Sequence, residues 1–329
     1  MRTVAVTGAN GFLGGDLVRE LAENEYRVLA CVRSKVPGAL EAEIDRFGDL
    51  VTWHQLDVTN MQQWEDLGPD VDTVIHTAAA TPIDESDPIG TVNVNLGGTL
   101  NGLEYAHKFG IRRFIALSSA SVYRGVPYQD RPLLEDDPVR PVHSYGISKV
   151  AAETFVTLYR DLKGLDCCAA RLTSIYGPWE RPTGSRLGMS GVYRLMTAAA
   201  AGKSLTVKDQ GGSCDYMYVS DASKGLIHMT ELDHIPHDIV NLSTGESVGS
   251  KRLLDAVAAA APEAAPRVLG PDDDDSEADM VMRPVRENRR MDVQRLEDLG
   301  FTAPTSIEKG LELYFEWLQD EENYRSVTE

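Results

Sequence analysis

The stretch "TVAVTGANGFLGG", Thr3 to Gly15, decides the fold. Its first half is a short apolar strand. Its second half runs into "LVRELAENE", whose apolar residues recur at helical spacing. Between them stand Gly8, Gly11 and Gly14, spaced G-x-x-G-x-x-G. Glycines let the chain turn tightly and let backbone N–H groups approach a phosphate. The N-terminus of the next helix adds donors and a favourable dipole. Strand, glycine turn and helix in that order form the context in which a dinucleotide pyrophosphate is bound. An ordinary strand-to-helix turn is the competing reading.

Outward from this turn, strands and helices alternate. "RVLACV", "VTWHQLDV", "VDTVIHTAAA" and "RRFIALSSAS" read as strands two to five. A long helix is expected over Pro88 to Lys108. A second runs through "YGISKVAAETFVTLYRDLKG" and ends at Gly164. "LDCCAARLTSIYG" reads as a sixth strand. Near-continuous apolar strands alternating with helices predict a parallel sheet covered on both faces: an α/β, Rossmann-type, doubly wound architecture.

After Gly177 the rhythm changes. "GPWERPTGSRLG" reads as a loop, with Trp179 placed either to stack on a sugar or base or to pack the interior. Helices follow at "GVYRLMTAAAAG" and "SKRLLDAVAAAA", and "DYMYVSDASKGLIHMTEL" reads as strand, turn and helix. "PDDDDSEAD" reads as a solvated charge run rather than a metal site, because it lacks the spacing of a calcium loop. "TSIEKGLELYFEWLQ" is an amphipathic helix opened by Thr305 or Ser306, with Glu308 in its first turn. The expected organisation is a dinucleotide-binding domain over 1–177, returning around 214–245, and a smaller substrate-binding lobe over 178–329.

Composition narrows the partners. The chain has 329 residues, 42% of them apolar, and a net charge of −19. So acidic a protein is a poor ligand for nucleic acid or an anionic membrane. Adaptation to high salt is another source of such a charge. Cys31, Cys167, Cys168 and Cys214 form no C-x-x-C pair and no zinc spacing. They read as small buried hydrophobes in a reducing compartment. Met1 leads directly into a strand pattern, and no apolar run approaches the about 20 residues of a membrane span. A soluble, cytoplasmic protein without a metal is expected.

Further residues speak to the ligand. At the end of the second strand, where a carboxylate would hold a ribose 2′-hydroxyl, the chain reads "ACVRSK". Arg33 there can pair with a 2′-phosphate, which leans toward NADP(H), or can be a solvated strand-end arginine. Asp57, at the end of the third strand, is placed to accept from an adenine amino group. In "HSYGISKVAAE", Tyr145 and Lys149 lie one helical turn apart and share a face.

Together these segments resemble the extended short-chain dehydrogenase/reductases, in the NAD-dependent epimerase/dehydratase branch. The motifs are "TGANGFLG", "DVT", "HTAA", "NVNLGGT", "LSSASVY", "YGISK" and "RLTSIYGP", all in family order. The resemblance implies a catalytic triad of Ser119, Tyr145 and Lys149. It implies cofactor contacts from the glycine turn with Phe12 and Leu13, from Asp57 and Val58, and from Ala78 and Ala79. Asn95 belongs to the supporting polar network. It also implies a homodimer paired through the two long helices.

The chemistry follows from the residue types. A tyrosine pKa of about 10 makes a poor base, and an ammonium one turn away favours the phenolate. Tyr145 then takes the proton of a secondary alcohol as hydride leaves its carbon, or gives it back in reverse. Ser119 would hold the substrate oxygen, and Lys149 the nicotinamide ribose. "SSASVY" offers no acid pair, which disfavours a 4,6-dehydratase. Ser174 stands where nucleotide-sugar relatives carry asparagine, and Cys214 where they often carry arginine. Both departures count against a nucleotide diphosphate. Arg181, Arg186 and Arg283 are candidates to hold an anionic sugar-like substrate, or are surface counter-charges. The expected function is therefore NAD(P)-dependent hydride transfer on a sugar-like, possibly nucleotide-sugar, substrate. An NADPH-dependent reductase or dehydrogenase of a non-nucleotide carbonyl or sugar acid is the alternative. A non-catalytic dinucleotide sensor is the alternative of another class.

Overall fold

The structure is a computed structural model that describes residues 2–81, 85–127, 130–182, 189–270, 273–282 and 290–328. The chain begins with β1 (Thr3–Thr7), α1 (Phe12–Glu23), β2 (Arg27–Val32), α2 (Gly38–Asp45), β3 (Val51–Gln55), α3 (Met61–Glu65) and β4 (Thr73–His76). It continues with α4 (Pro88–Val92), α5 (Gly98–Phe109), β5 (Arg113–Ser119), α6 (Ser144–Lys163), β6 (Asp166–Leu172) and β7 (Ser174–Tyr176). Then come α7 (Gly191–Ala200), β8 (Thr206–Asp209), β9 (Ser213–Cys214), β10 (Tyr216–Tyr218), α8 (Val219–Glu231), β11 (Ile239–Leu242) and β12 (Val248–Gly249). The last elements are α9 (Ser250–Ala260), β13 (Arg267–Leu269), β14 (Met280–Met282), α10 (Gln294–Asp298), α11 (Ile307–Leu318) and α12 (Glu321–Thr328).

The main sheet has seven strands in the order β11-β6-β5-β4-β1-β2-β3, every neighbouring pair parallel. Parallel strands need crossovers, and the helices fill both faces. Strand alternation distributes the apolar side chains between two cores. Val4, Val6, Cys168 and Ala170 face α1 and α8. Ala5, Cys167 and Ala169 face Trp64 of α3, Leu103 of α5 and Val156 of α6. The adjacent cysteines thus point to opposite faces, as their strand position predicts. The strand order reverses between β1 and β4, and in such sheets the crevice at the carboxyl ends of the strands holds the ligand.

A third core lies beyond the sheet, where α7, α9 and α11 pack Leu195, Met196, Leu253, Val257, Leu311 and Tyr314 together. Three small sheets accompany it: β7 with β10, β9 with β12, and β8 between β13 and β14. Ser306 caps α11 by accepting from the Lys309 N–H, and Glu308 pairs with Arg252 across to α9. Among the described residues no helix is long and apolar enough to cross a membrane, and no cluster of side chains could hold a metal ion.

The seventh strand of the sheet, β11, is not among the six expected, and two expected elements take a different form. The helix expected over Pro88 to Lys108 is interrupted by a π-helical turn at Asn93–Gly97. The extra residue rotates Asn95 inward, where it is buried. The sixth strand ends at Leu172. Thr173 turns the chain, donating its hydroxyl to the Asp215 carbonyl, and β7 pairs with β10 outside the main sheet.

Candidate active site

The crevice at the carboxyl ends of β1 to β6 is a cavity of about 670 Å³. Gly8, Gly11, Phe12, Leu13 and Gly14 line one side of it, from the turn after β1. The turn is tight for a physical reason. Gly8 has φ +67°, and a Cβ there would lie 2.9 Å from the Ala78 backbone. A Cβ on Gly14 would lie 2.2 Å from the Gly8 carbonyl oxygen. The cradle therefore exists only because both residues lack side chains, and it presents the N-terminus of α1 to the cavity. This is the donor geometry that a pyrophosphate needs, so the residues fit a dinucleotide.

Arg33, Asp57 and Val58 line the same cavity, at the ends of β2 and β3. Arg33 is exposed, and Ser34 and Lys35 stand beside it on the cavity wall. Asp57 accepts from the Thr59 N–H at 3.0 Å and its hydroxyl at 2.7 Å. The backbone bond chiefly, then the hydroxyl and the nearby Arg33 charge, hold its carboxyl below the usual range. Ala78 and Ala79 form the next wall. Asn95 does not reach the cavity. It accepts from the Ala80 N–H, donates to the Ala80 carbonyl and donates to Ser148 on α6. It thus ties the segment after β4 to the helix that carries Tyr145 and Lys149.

That helix starts at His143, whose Nδ1 accepts from the Gly146 N–H. Tyr145 and Lys149 both line the cavity. Lys149 Nζ lies 5.7 Å from the centre of the Tyr145 ring and donates to the Leu117 carbonyl at 2.6 Å. Burial pushes the ammonium down to about 8, and the Glu153 carboxylate pulls it back up.

The serine is less direct. Ser119 accepts from the Ser121 N–H at 3.1 Å and so caps the turn after β5. Ser118, not Ser119, lines the cavity, and its hydroxyl donates to Glu153 at 2.5 Å. Glu153 also receives both Nε and an Nη of Arg171, at 2.9 and 2.8 Å. Arg171 reaches on to the Tyr123 hydroxyl. The sequence reading overlooked this buried network. Its signal was Glu153, one turn after Lys149 on the same face.

The expected substrate residues separate. Ser174 and Cys214 meet: the Cys214 thiol lies 3.3 Å from the Ser174 hydroxyl. Arg181 instead reaches the glycine turn and bonds the Asn10 carbonyl oxygen. Arg186 and Arg283 lie outside the described residues. Trp179 is 5% exposed and packs edge-on against Trp317 at 5.1 Å, so it fills the interior and does not offer a stacking face.

Fold and crevice define a Rossmann-type protein with a Tyr–Lys pair beside a glycine cradle. The model of the NAD-dependent epimerase/dehydratase family matches residues 4–243, and the chain belongs to that family. It is 27% identical over 318 residues to the UDP-glucose 4-epimerase of Mycolicibacterium smegmatis, covering 94% of this chain and 96% of the relative. Among solved structures it resembles the UDP-N-acetylglucosamine 4-epimerase of Methanobrevibacter ruminantium, with a TM-score of 0.82 and 21% identity, over 96% of this chain and 98% of that one. The UDP-glucuronic acid 4-epimerase of Bacillus cereus, solved with UDP-glucuronic acid and NAD, gives 0.79 and 21%, over 96% and 99%.

Proposed function

We propose that the protein is a nicotinamide-dinucleotide-dependent sugar epimerase acting on a nucleotide sugar, with Tyr145 as its acid and base. The observation that carries this reading is the Lys149 ammonium held beside the Tyr145 ring within the cavity that the glycine turn lines. A nicotinamide dinucleotide, held by the glycine turn, Asp57 and Lys149, would supply the two-electron hydride chemistry. Tyr145 removes the hydroxyl proton as the ketone forms and returns it as the alcohol re-forms. Lys149 favours the phenolate by its charge and is placed to hold the nicotinamide ribose. Ser119 is the proposed holder of the substrate oxygen, and its neighbour Ser118 lines the cavity. Residues 1–177, with the return at 214–245, hold the cofactor, and 178–329 shape the sugar site, apart from Arg181 and Pro182, which line the cavity of the glycine turn. The 4-epimerase names of the relatives support the substrate class.

Arg33 favours a second reading, an NADPH-dependent reductase. No carboxylate ends β2, and Arg33, Ser34 and Lys35 form a basic, hydroxyl-bearing edge suited to a 2′-phosphate. We further propose a homodimer through α4 and α6, whose Ile89, Ile147, Leu158 and Leu162 are exposed. A cytoplasmic location accords with four free thiols.

The deciding experiment is to denature the purified protein and identify any released dinucleotide, then to assay C4 inversion of UDP-glucose and UDP-glucuronate with wild type and Tyr145→Phe. Retained NAD and inversion lost in the variant support the epimerase. Uptake and turnover of NADPH with a ketone support the reductase. Unchanged turnover in Tyr145→Phe overturns catalysis by this tyrosine.

A further inference from the structure

We propose that Arg181 is a clamp for the cofactor pyrophosphate, carried over the glycine turn by the segment that follows β7. The proposal rests on the dinucleotide-binding reading above and assigns a phosphate ligand that lies outside the first half of the fold.

The guanidinium sits far from where its sequence position would leave it. Arg181 donates to the carbonyl oxygen of Asn10, inside the Gly8–Gly11 turn, and an Nη lies 3.4 Å from the Trp179 carbonyl oxygen. It lines the same cavity as Gly8, Gly11 and Gly14. A guanidinium has five N–H donors, and these two carbonyls use only part of that set. Among the described residues no carboxylate pairs with it. Most inward arginines of this chain, Arg19, Arg112, Arg113, Arg171 and Arg295, have acidic partners, and Arg160, which has none among the described residues, is spent on three carbonyl oxygens and His234 away from the cavity. In a chain with 51 acidic and 32 basic residues, an inward cation without an acid at a glycine cradle points to an anionic ligand.

The flanking residues show that this placement is built. Trp179 holds φ +70°, a backbone conformation that costs a bulky residue about 1–2 kcal/mol. It is held there by burial against Trp317. Glu180 is fully buried, and its carboxylate accepts from the Ser190 N–H at 3.2 Å and the Ser190 hydroxyl at 2.9 Å, at the start of α7. With Trp179 in the core that faces α1 and α8 and Glu180 tied to the start of α7, Arg181 is left to project back over the cradle. Residues that persist in an unfavourable conformation are over-determined by their surroundings, and such strain collects at ligand clamps. The helix dipole of α1 supplies only partial positive charge. Arg181 adds a full one beside the turn, so binding the dinucleotide joins the glycine turn to the segment after β7.

The test is binary binding, without sugar substrate, of NADH, NADPH and ADP-ribose by calorimetry at low and high salt. Arg181→Met is expected to weaken all three by about 10- to 100-fold at low salt, with a shallower salt dependence than wild type, and to leave the circular dichroism spectrum unchanged. Adenosine, which lacks the phosphates, should bind both proteins alike. Unchanged dinucleotide affinity with a raised KM for the sugar overturns the clamp and makes Arg181 a substrate residue. Should the Met variant fail to fold, Arg181→Lys keeps the charge but not the fork. It is expected to lose several-fold in affinity, and wild-type affinity in that folded variant overturns the proposal. A wild type that binds none of the three ligands instead sinks the dinucleotide reading itself.

Discussion

Lys149 and Tyr145 share one face of α6, the ammonium nitrogen 5.7 Å from the phenol ring centre and anchored to the Leu117 carbonyl at 2.6 Å. The anchor fixes the charge beside the phenol, near the carboxyl end of β5. Lys149→Met is expected to lower kcat by about 10² to 10⁴. Its stability should move the other way in a defined window. Burial depresses the folded-state pKa to about 8, below the usual lysine value of 10.5. The unfolded chain therefore binds the proton more readily between those values, and wild type gains stability as pH rises through them. Relative to the non-titrating Met variant, wild type should gain up to roughly 3 kcal/mol between pH 8 and 10.5. Urea unfolding at two pH values checks this, and a constant difference would contradict it.

His76 provides the acid counterpart. It ends β4, its Nδ1 lies 2.8 Å from the Thr7 hydroxyl on β1, and Trp64 and Phe114 flank its ring. Burial, with a smaller push from the Lys149 charge, lowers its pKa from 6.5 to about 3. A depressed histidine must stay neutral in the folded state, so stability is lost as pH falls from 6.5 toward 3. Between pH 6.5 and 5 the loss from this group is roughly 2 kcal/mol. His76→Gln should flatten that stretch of the stability curve. An equally steep decline in the variant would move the acid sensitivity elsewhere.

The glycine cradle makes a steric prediction. A Cβ on Gly14 meets the Gly8 carbonyl oxygen at 2.2 Å and its carbon at 2.8 Å, both backbone atoms that cannot swing away. Gly14→Ala must displace the turn or α1. It is expected to cut dinucleotide affinity by at least about tenfold, because the N–H donors lose their aim. Gly38 opens α2 with nothing within 4 Å of its Cβ and no positive φ, and Gly38→Ala is the control. Binding that Gly38→Ala and Gly14→Ala leave equally intact would remove the cradle from the site.

The legible parts of the molecule were those written locally. Near-continuous apolar strands, the glycine turn and the Tyr–Lys spacing each reside in a few consecutive residues, and six of the seven strands of the sheet agree with them, β11 being the one not expected. What was not legible depends on chain segments meeting. The π-helical turn that buries Asn95 leaves no mark on helical periodicity over 88–108. Trp179 had two equal readings until Trp317, far along the chain, was seen against it. Ser174 and Cys214 stood apart as separate departures, whereas β7 and β9 bring thiol and hydroxyl into contact. Arg181 was assigned by residue type to a substrate, and only the path of 177–181 sends it to Asn10. Arg186 and Arg283 lie outside the described residues.

The α6 surface supplies the last prediction. Ile147, Leu158 and Leu162 recur at spacings of eleven and four residues, which on a helix place them on one stripe. They are 53%, 43% and 73% exposed, and Ile89 on the adjacent α4 is 74% exposed. An apolar stripe of this length is costly in water, and a second copy packed about a two-fold axis would cover it without new chemistry. In the proposed four-helix contact each leucine would be buried, and a buried leucine contributes about 1.5–3 kcal/mol. Leu158→Glu with Leu162→Glu places two like charges on each side of that contact, where they oppose each other and lose solvent. Light scattering is expected to give twice the 36.1 kDa chain mass for wild type and the single mass for the double variant. Its secondary structure should be unchanged, since neither side chain belongs to the sheet cores. A wild type that scatters as a monomer at micromolar concentration would end the dimer reading and leave the stripe for another partner.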